Sequence, residues 1–285
     1  MTVYEDRFWQ SRDGLKLHYR DYPGDESRLP VVCLHGLTRN GRDFAELAAH
    51  LAPGRRVLCP DLRGRGDSEY ARDAASYNPL QYVEDLRALL EEAGIERFVA
   101  IGTSLGGLMT MILAAQEPDR IAGAVLNDIG PYLEPAGLKR IIGYVGQGRN
   151  FPTWVHAARA LEDTQRAAHP GFGLADWIAM AKRVMTLTST GRITFDYDMK
   201  IAEPFGQLDP GDQPDLWPAF QALAGRPLLF VRGALSDLLS EETLARMLRQ
   251  IPQAEAVTLP GVGHAPLLNE PQAVAAIDRL LAQVE

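Results

Sequence analysis

Only two cysteines occur in the 285 residues, Cys33 and Cys59. Both fall in apolar, strand-favouring runs. The N-terminus, Met1-Thr2-Val3-Tyr4-Glu5-Asp6, is polar and acidic and lacks the basic and apolar segments of a secretion leader. The pair is therefore expected as reduced core residues in a cytoplasmic protein, not as a disulfide framework. No apolar run approaches the roughly 20 residues that a membrane-spanning helix needs, so no membrane partner is expected. Lys and Arg number 29 against 37 Asp and Glu, a net charge of −8, and the bases are scattered among the acids. With no basic groove, a nucleic-acid partner is excluded. No histidine pair has metal-ligand spacing such as H-E-x-x-H, and no metal is expected. Repeats and low-complexity tails are absent as well.

What remains is ordinary globular composition, 46% hydrophobic and 23% charged, in a chain long enough for a large core plus an inserted subdomain. Residues 7–22 alternate about Asp13-Gly14 as a hairpin. Val31–Leu34, Arg56–Pro60, Phe98–Gly102 and Ile121–Leu126 are short apolar strands, and between them lie amphipathic helical patterns. One helix begins at Asn78-Pro79 and turns Tyr82, Val83, Leu86, Leu89 and Leu90 inward. The alternation predicts βαβ units in a mostly parallel α/β sheet. It breaks at Pro131 and returns at Pro227 with a strand, a helix over Glu241–Gln250, a strand ending at Leu259 and a last helix from Pro271. The stretch between carries helical patterns at 141–145, 154–161 and 174–187. The domains expected are a core of residues 1–130 and 225–285, with a helical cap of residues 131–224 over one edge of the sheet.

The chemistry concentrates in Gly102-Thr103-Ser104-Leu105-Gly106, where a strand meets a helix. A turn this abrupt strains its apex residue, glycines two places to either side relieve the crowding, and the serine hydroxyl is left clear of the sheet edge. A serine becomes a nucleophile only with a base in hydrogen-bond reach and a group that orients the base. His264, in Gly263-His264 just past the last strand, lies where a parallel sheet presents its site. His18 sits in the early hairpin, His50 on a helix, and His156 and His169 in the cap. His35 ends a strand beside the site but precedes the serine in the chain. The orienting carboxylate is expected to be Asp237, after the penultimate strand, giving the order Ser104, Asp237, His264. Asp128, after the strand that precedes the cap, is its competitor. The backbone amides of Leu105 and Leu37 are the expected donors to a developing oxyanion.

These landmarks, His35-Gly36, Asp61–Ser68, Gly102–Gly107, Ser236-Asp237 and Gly263-His264, together resemble the α/β-hydrolase superfamily over nearly the whole chain outside 131–224. The resemblance implies about eight strands with the second antiparallel, and the cap inserted after strand six. It also implies that the Asp61–Ser68 loop is a structural turn whose charged residues have no catalytic role. Dehalogenases and epoxide hydrolases of this fold carry aspartate where Ser104 stands. The H-G-G-P-G loop of prolyl iminopeptidases and the H-G-G-G loop of one lipase branch are both absent, and Leu105 replaces the methionine usual in perhydrolases.

The resemblance narrows to the lid-bearing serine esterases, lactonases and carbon–carbon bond hydrolases. The expected function is hydrolysis of a small carboxylic ester or lactone through an acyl-enzyme, with no cofactor, in a monomer or homodimer. Its rivals are a carbon–carbon bond hydrolase of a vinylogous diketone acid and a catalytically weak ligand receptor. Arg39 is the cation that an anionic substrate would meet, although a solvated loop arginine is its plainer role. Trp154, Trp177, Phe151, Phe172, Met180 and Met185 line an apolar pocket or, more simply, pack the cap.

Overall fold

The alternation becomes one eight-stranded sheet in a computed structural model that describes residues 4–284; Met1–Val3, where the polar N-terminal stretch begins, and Glu285 lie outside the described residues. The hairpin is β1 (Glu5–Gln10) and β2 (Lys16–Tyr22). The chain continues through β3 (Val31–Leu34), α1 (Ala45–Leu51), β4 (Val57–Pro60), α2 (Pro79–Glu92), β5 (Phe98–Thr103), α3 (Leu105–Gln116) and β6 (Ile121–Asn127). The insertion follows as α4 (Pro135–Tyr144), β7 (Asn150–Phe151), α5 (Trp154–Gln165), α6 (Leu174–Val184), β8 (Met185–Leu187), β9 (Ile193–Phe195), α7 (Ala202–Phe205) and α8 (Trp217–Gln221). The chain then re-enters the sheet through β10 (Leu228–Gly233), α9 (Glu241–Gln250), β11 (Glu255–Leu259) and α10 (Pro271–Leu281).

The sheet order is β1-β2-β4-β3-β5-β6-β10-β11. β2 runs antiparallel to both neighbours, and every other pairing is parallel. The continuous apolar strands are buried on both faces because helices cover both. Side-chain alternation sends Val32 and Leu34 of β3 into one core cluster, with α2 and α3, and Val31 and Cys33 into the other, with α1 and α10. Cys33 and Cys59 are buried free thiols. α2 starts where the sequence signals it: the Asn78 side chain accepts from the Gln81 amide, and Pro79 occupies the first turn.

The insertion has a small core of its own, built by Ala157, Ala158 and Leu161 of α5 against Trp177, Met180, Ala181 and Val184 of α6. It is not helical throughout. The pattern that suggested a helix as far as Leu187 breaks at Met185, and β8 joins β9 and β7 in an antiparallel sheet of three strands. Strands of two or three residues are too short to register as a periodicity. The insertion is also tied to the main core. Phe220 and Leu223, at its C-terminal end, and Leu138 and Ile141 of α4 all belong to the larger cluster. α4 packs so closely on the loop after β10 that a Cβ at Gly137 would lie 2.3 Å from the Asp237 carbonyl oxygen.

Candidate active site

Ser104 stands at the apex between β5 and α3 with φ 52° and ψ −114°, outside the ordinary L-residue regions. Such a backbone costs about 1–3 kcal/mol and persists only where its surroundings impose it. The Ser104 amide donates to the Asn127 carbonyl on β6 at 3.0 Å, while the Ser104 carbonyl accepts from the Gly107 and Leu108 amides at 2.9 and 3.1 Å. The flanking glycines are required by close approach. A Cβ at Gly102 would lie 2.5 Å from Gly106 backbone atoms, and one at Gly106 would lie 2.0 Å from the Leu34 carbonyl oxygen. The five-residue pattern is thus the condition for α3 to descend directly onto β5 and β3.

His264 meets Ser104 from the loop after β11, with Nε2 3.1 Å from the serine Oγ. Its Nδ1 lies 2.8 Å from Oδ2 of Asp128, not of Asp237. The expected order Ser104, Asp237, His264 is therefore not the one the geometry forms. Asp128 directly follows β6, is fully buried, and has φ 53°, a left-handed conformation that aspartate tolerates better than most residues. Its carboxylate also accepts from the Gly233 amide at 2.8 Å and from the Ser236 hydroxyl at 2.6 Å. The Ser236-Asp237 landmark thus contributes its serine, which holds Asp128 in place. Asp237 turns the other way, onto α4, where its carboxylate accepts from Arg140 Nε and Nη2 at 2.5 and 2.7 Å. Burial opposes ionisation of Asp237, but the Arg140 guanidinium outweighs it and holds the carboxyl below its usual range. The signal for Asp128 was its position at the carboxyl end of a buried strand; Asp237 shares that signal, and both fit the order Ser, Asp, His.

The Asn127 amide nitrogen donates to Thr103 Oγ1 and to the Pro266 carbonyl, both at 2.9 Å, joining the serine strand to the histidine loop. Sequence reasoning gave this residue no role. Beyond β3, the Leu37 and Leu105 amides have no hydrogen-bond partner among the described residues, and Leu37 lines the cleft above Ser104. The loop carrying Leu37 is fixed by the two residues the sequence set aside. His35 is fully buried; its Nδ1–H donates to the Gly36 carbonyl and its Nε2 accepts from the Leu62 amide at 3.0 Å. That bonding requires the neutral imidazole, and burial pushes its pKa down to about 4. Arg65 Nε donates to the Leu37 carbonyl at 3.0 Å, so one charged residue of the Asp61–Ser68 loop supports the Leu37 loop from behind.

The cleft at Ser104 is small, with a cavity volume of about 70 Å³. Core residues line it with Ile141, Tyr144, Gln165 and His169 from the insertion. His169 stacks on Phe172 at 4.5 Å, and burial pushes its pKa down to about 4, helped by Arg39 and His264. Of the aromatic and methionine candidates, Phe151 lines an adjoining cavity, while Trp177, Met180 and Met185 are buried in the cap core. Outside the cleft, His18, Asp61 and Asp67 bring three potential ligand atoms within 4.8 Å of one another. Both His18 nitrogens already face carboxylates, Asp61 at 2.7 Å and Asp6 at 2.9 Å, and Asp61 also accepts from the Gly41 and Asp67 amides. His50 pairs with Asp278, and His156 with Thr153, both at the surface.

A family model described as alpha/beta hydrolase fold matches residues 30–271. The chain is 35% identical over 267 residues to the 3-hydroxybutyrate-oligomer hydrolase of Cupriavidus necator, an alignment covering 91% of this chain and 90% of that protein. It is 29% identical over 269 residues to the sn-1-specific diacylglycerol lipase ABHD11 of Mus musculus, covering 90% and 82%. Among solved structures, an alpha/beta hydrolase from Novosphingobium aromaticivorans superposes over all of both chains with TM-score 0.95 and 61% identity. The chain belongs to the alpha/beta-hydrolase family and is a hydrolytic enzyme. Among its described residues no helix is long and apolar enough to cross a membrane.

Proposed function

We propose that the protein is a serine hydrolase that cleaves a small carboxylic ester or lactone through an acyl-enzyme, with Ser104 as nucleophile, His264 as base and Asp128 as the carboxylate that orients it. The observation that carries this reading is the continuous chain from Ser104 Oγ to His264 Nε2, and from Nδ1 to a fully buried carboxylate, at 3.1 and 2.8 Å. The Asp128 carboxylate accepts a hydrogen bond from Nδ1–H, which fixes that tautomer and leaves the Nε2 lone pair facing the hydroxyl. Nε2 takes the Oγ proton as Oγ bonds to the carbonyl carbon. The carbonyl electrons move onto oxygen, where the Leu37 and Leu105 amides stabilise them. As the carbon–oxygen bond breaks, the imidazolium returns its proton to the leaving alcohol. Water then adds to the acyl carbon with its proton passing to Nε2; collapse releases the acid and restores Ser104. None of these steps needs a cofactor.

Similarity to the 3-hydroxybutyrate-oligomer hydrolase and the cleft's modest size support short hydroxy-acid esters, including linear oligoesters, as the substrate class. Intact-protein mass after fluorophosphonate treatment tests the nucleophile. One adduct mapping to Ser104, absent in Ser104→Ala and lost in His264→Ala, is expected. An unmodified but folded wild type that turns over no short ester would overturn the reading in favour of a ligand-binding role.

A further inference from the structure

The cleft at Ser104 adjoins a second cavity under the insertion, and the two share Thr38, Arg39, Tyr144 and Gln165. Beyond this waist the second cavity is walled by Phe151, Leu161, Val184 and Phe195, with the exposed Arg149 also in its lining. Arg39 is the cation at the waist. The neighbouring arginines have structural partners: Arg42 reaches Asp196 and the Arg183 carbonyl, Arg63 lies between Asp85 and Asp13, and Arg140 holds Asp237. Arg39 is committed on one edge alone. Its Nε and Nη2 donate to Asp43 at 2.5 and 2.9 Å, whereas Nη1 has no partner among the described residues. The side chain is 17% exposed, not the solvated loop arginine that its sequence position suggested, and what is exposed belongs to a residue that lines both cavities. Its stem and the nucleophile both flank Gly36. Arg39 Cγ and Ser104 Cβ lie 3.4 and 3.7 Å from the one point where a Cβ on Gly36 would sit.

A guanidinium with one edge fixed presents its remaining N–H groups in a set direction, suited to two oxygens in a plane. Asp43 fixes that direction and also competes for the charge. Resting on the reading of Ser104 as nucleophile, we propose that Arg39 is a specificity residue that binds a carboxylate carried by the substrate. The preferred ester is then anionic: a short hydroxy-acid oligoester with a free acid end at the waist, its scissile carbonyl a few bonds away at Ser104. A neutral ester of the same length lacks the group that Arg39 orients.

The test compares the linear dimer of 3-hydroxybutyrate as free acid with its methyl ester, following cleavage of the internal ester bond in the wild type, Arg39→Gln, Arg39→Lys and Asp43→Asn. The wild type should favour the free acid in kcat/KM by about tenfold or more, most of it in KM. Arg39→Gln should bring the ratio close to one, and Arg39→Lys, with the charge but not the fork, should fall between. Asp43→Asn removes the competing carboxylate and should raise the ratio, an effect that loss of folding cannot imitate. Equal ratios in the wild type and Arg39→Gln, both labelled by fluorophosphonate at Ser104, overturn the role of Arg39 and leave the serine hydrolase standing. A wild type that is neither labelled nor active on either ester overturns both.

Discussion

Two histidine–aspartate pairs in this protein share nearly the same geometry and differ in what they can do. His264 Nδ1 lies 2.8 Å from Asp128, and His18 Nδ1 lies 2.7 Å from Asp61; both aspartates are buried. The difference is at the second ring nitrogen. His264 Nε2 faces the neutral Ser104 hydroxyl at 3.1 Å, whereas His18 Nε2 faces the Asp6 carboxylate at 2.9 Å. Burial disfavours a charged His18, but Asp61 and Asp6 outweigh it and raise its pKa. A ring between two carboxylates is favoured as the cation, a form with no lone pair to offer. A ring between a carboxylate and a hydroxyl can take a proton and return it. The aspartate prepares the imidazole in both pairs, and the opposite nitrogen decides whether it becomes a strut or a base.

The largest effect should come from breaking the proposed catalytic pair at each of its contacts. Ser104→Ala should lower kcat by about 10⁴-fold or more, and Asp128→Asn by about 10³–10⁴-fold. Asp237→Asn should cost less than about threefold, because its partner is Arg140, and a half-exposed bridge of this kind contributes about 1 kcal/mol at most. Kinetics of the three variants on one short ester decide the matter. A loss in Asp237→Asn comparable to that in Asp128→Asn would show that the carboxylate exchanges between two loops.

How much of this was legible in the sequence follows from the range of each interaction. The strands, α2, α9 and the turn at Ser104 are written locally, in apolar runs, a cap at Asn78 and glycines at fixed offsets. His264 was placed beside Ser104 by its position in the loop after the last strand. The acid was not, because both Asp128 and Asp237 follow strands of the parallel sheet. The choice between them rests on contacts across the fold, from Ser236 and Gly233 to Asp128 and from Arg140 to Asp237. The roles of Asn127 and Arg65 escaped for the same reason, since each depends on a partner far away in the chain, whereas the insertion's short strands escaped because two or three residues set no periodicity.

A second experiment breaks the strut. His18→Gln leaves the buried Asp61 without its cation, and losing one partner of a buried pair costs about 3–5 kcal/mol, a fall of roughly 5–10 °C in Tm. Activity per folded molecule should stay within about twofold of the wild type. The pH dependence carries a sign. The folded pKa of His18 is raised above the unfolded value, so its stabilisation is complete below about pH 6.5 and is lost as pH rises through the folded pKa. The Tm gap between wild type and His18→Gln should therefore be widest below about pH 6.5 and narrow as pH rises through the folded pKa. A gap that does not change with pH would show a ring held by shape and not by charge.

A third histidine sharpens the comparison by removing the carboxylate altogether. His35 bonds to a backbone carbonyl and a backbone amide, and its folded pKa is pushed down to about 4 by burial. As pH falls below about 6.5 the unfolded chain takes a proton at this position and the folded chain does not, so stability is lost between about pH 6.5 and pH 4. By pH 5 the loss from this one residue is on the order of 2 kcal/mol. His35→Gln should be less stable at neutral pH, through its lost bonds to Gly36 and Leu62, yet show a shallower decline in Tm on acidification. The ring itself can be followed by ¹⁵N NMR, which should report one protonated and one bare nitrogen down to near pH 4. A His35 that titrates near pH 6.5 without loosening the Leu37 loop would mean that the amide of Leu62 needs no imidazole, and that neutrality at this position is incidental.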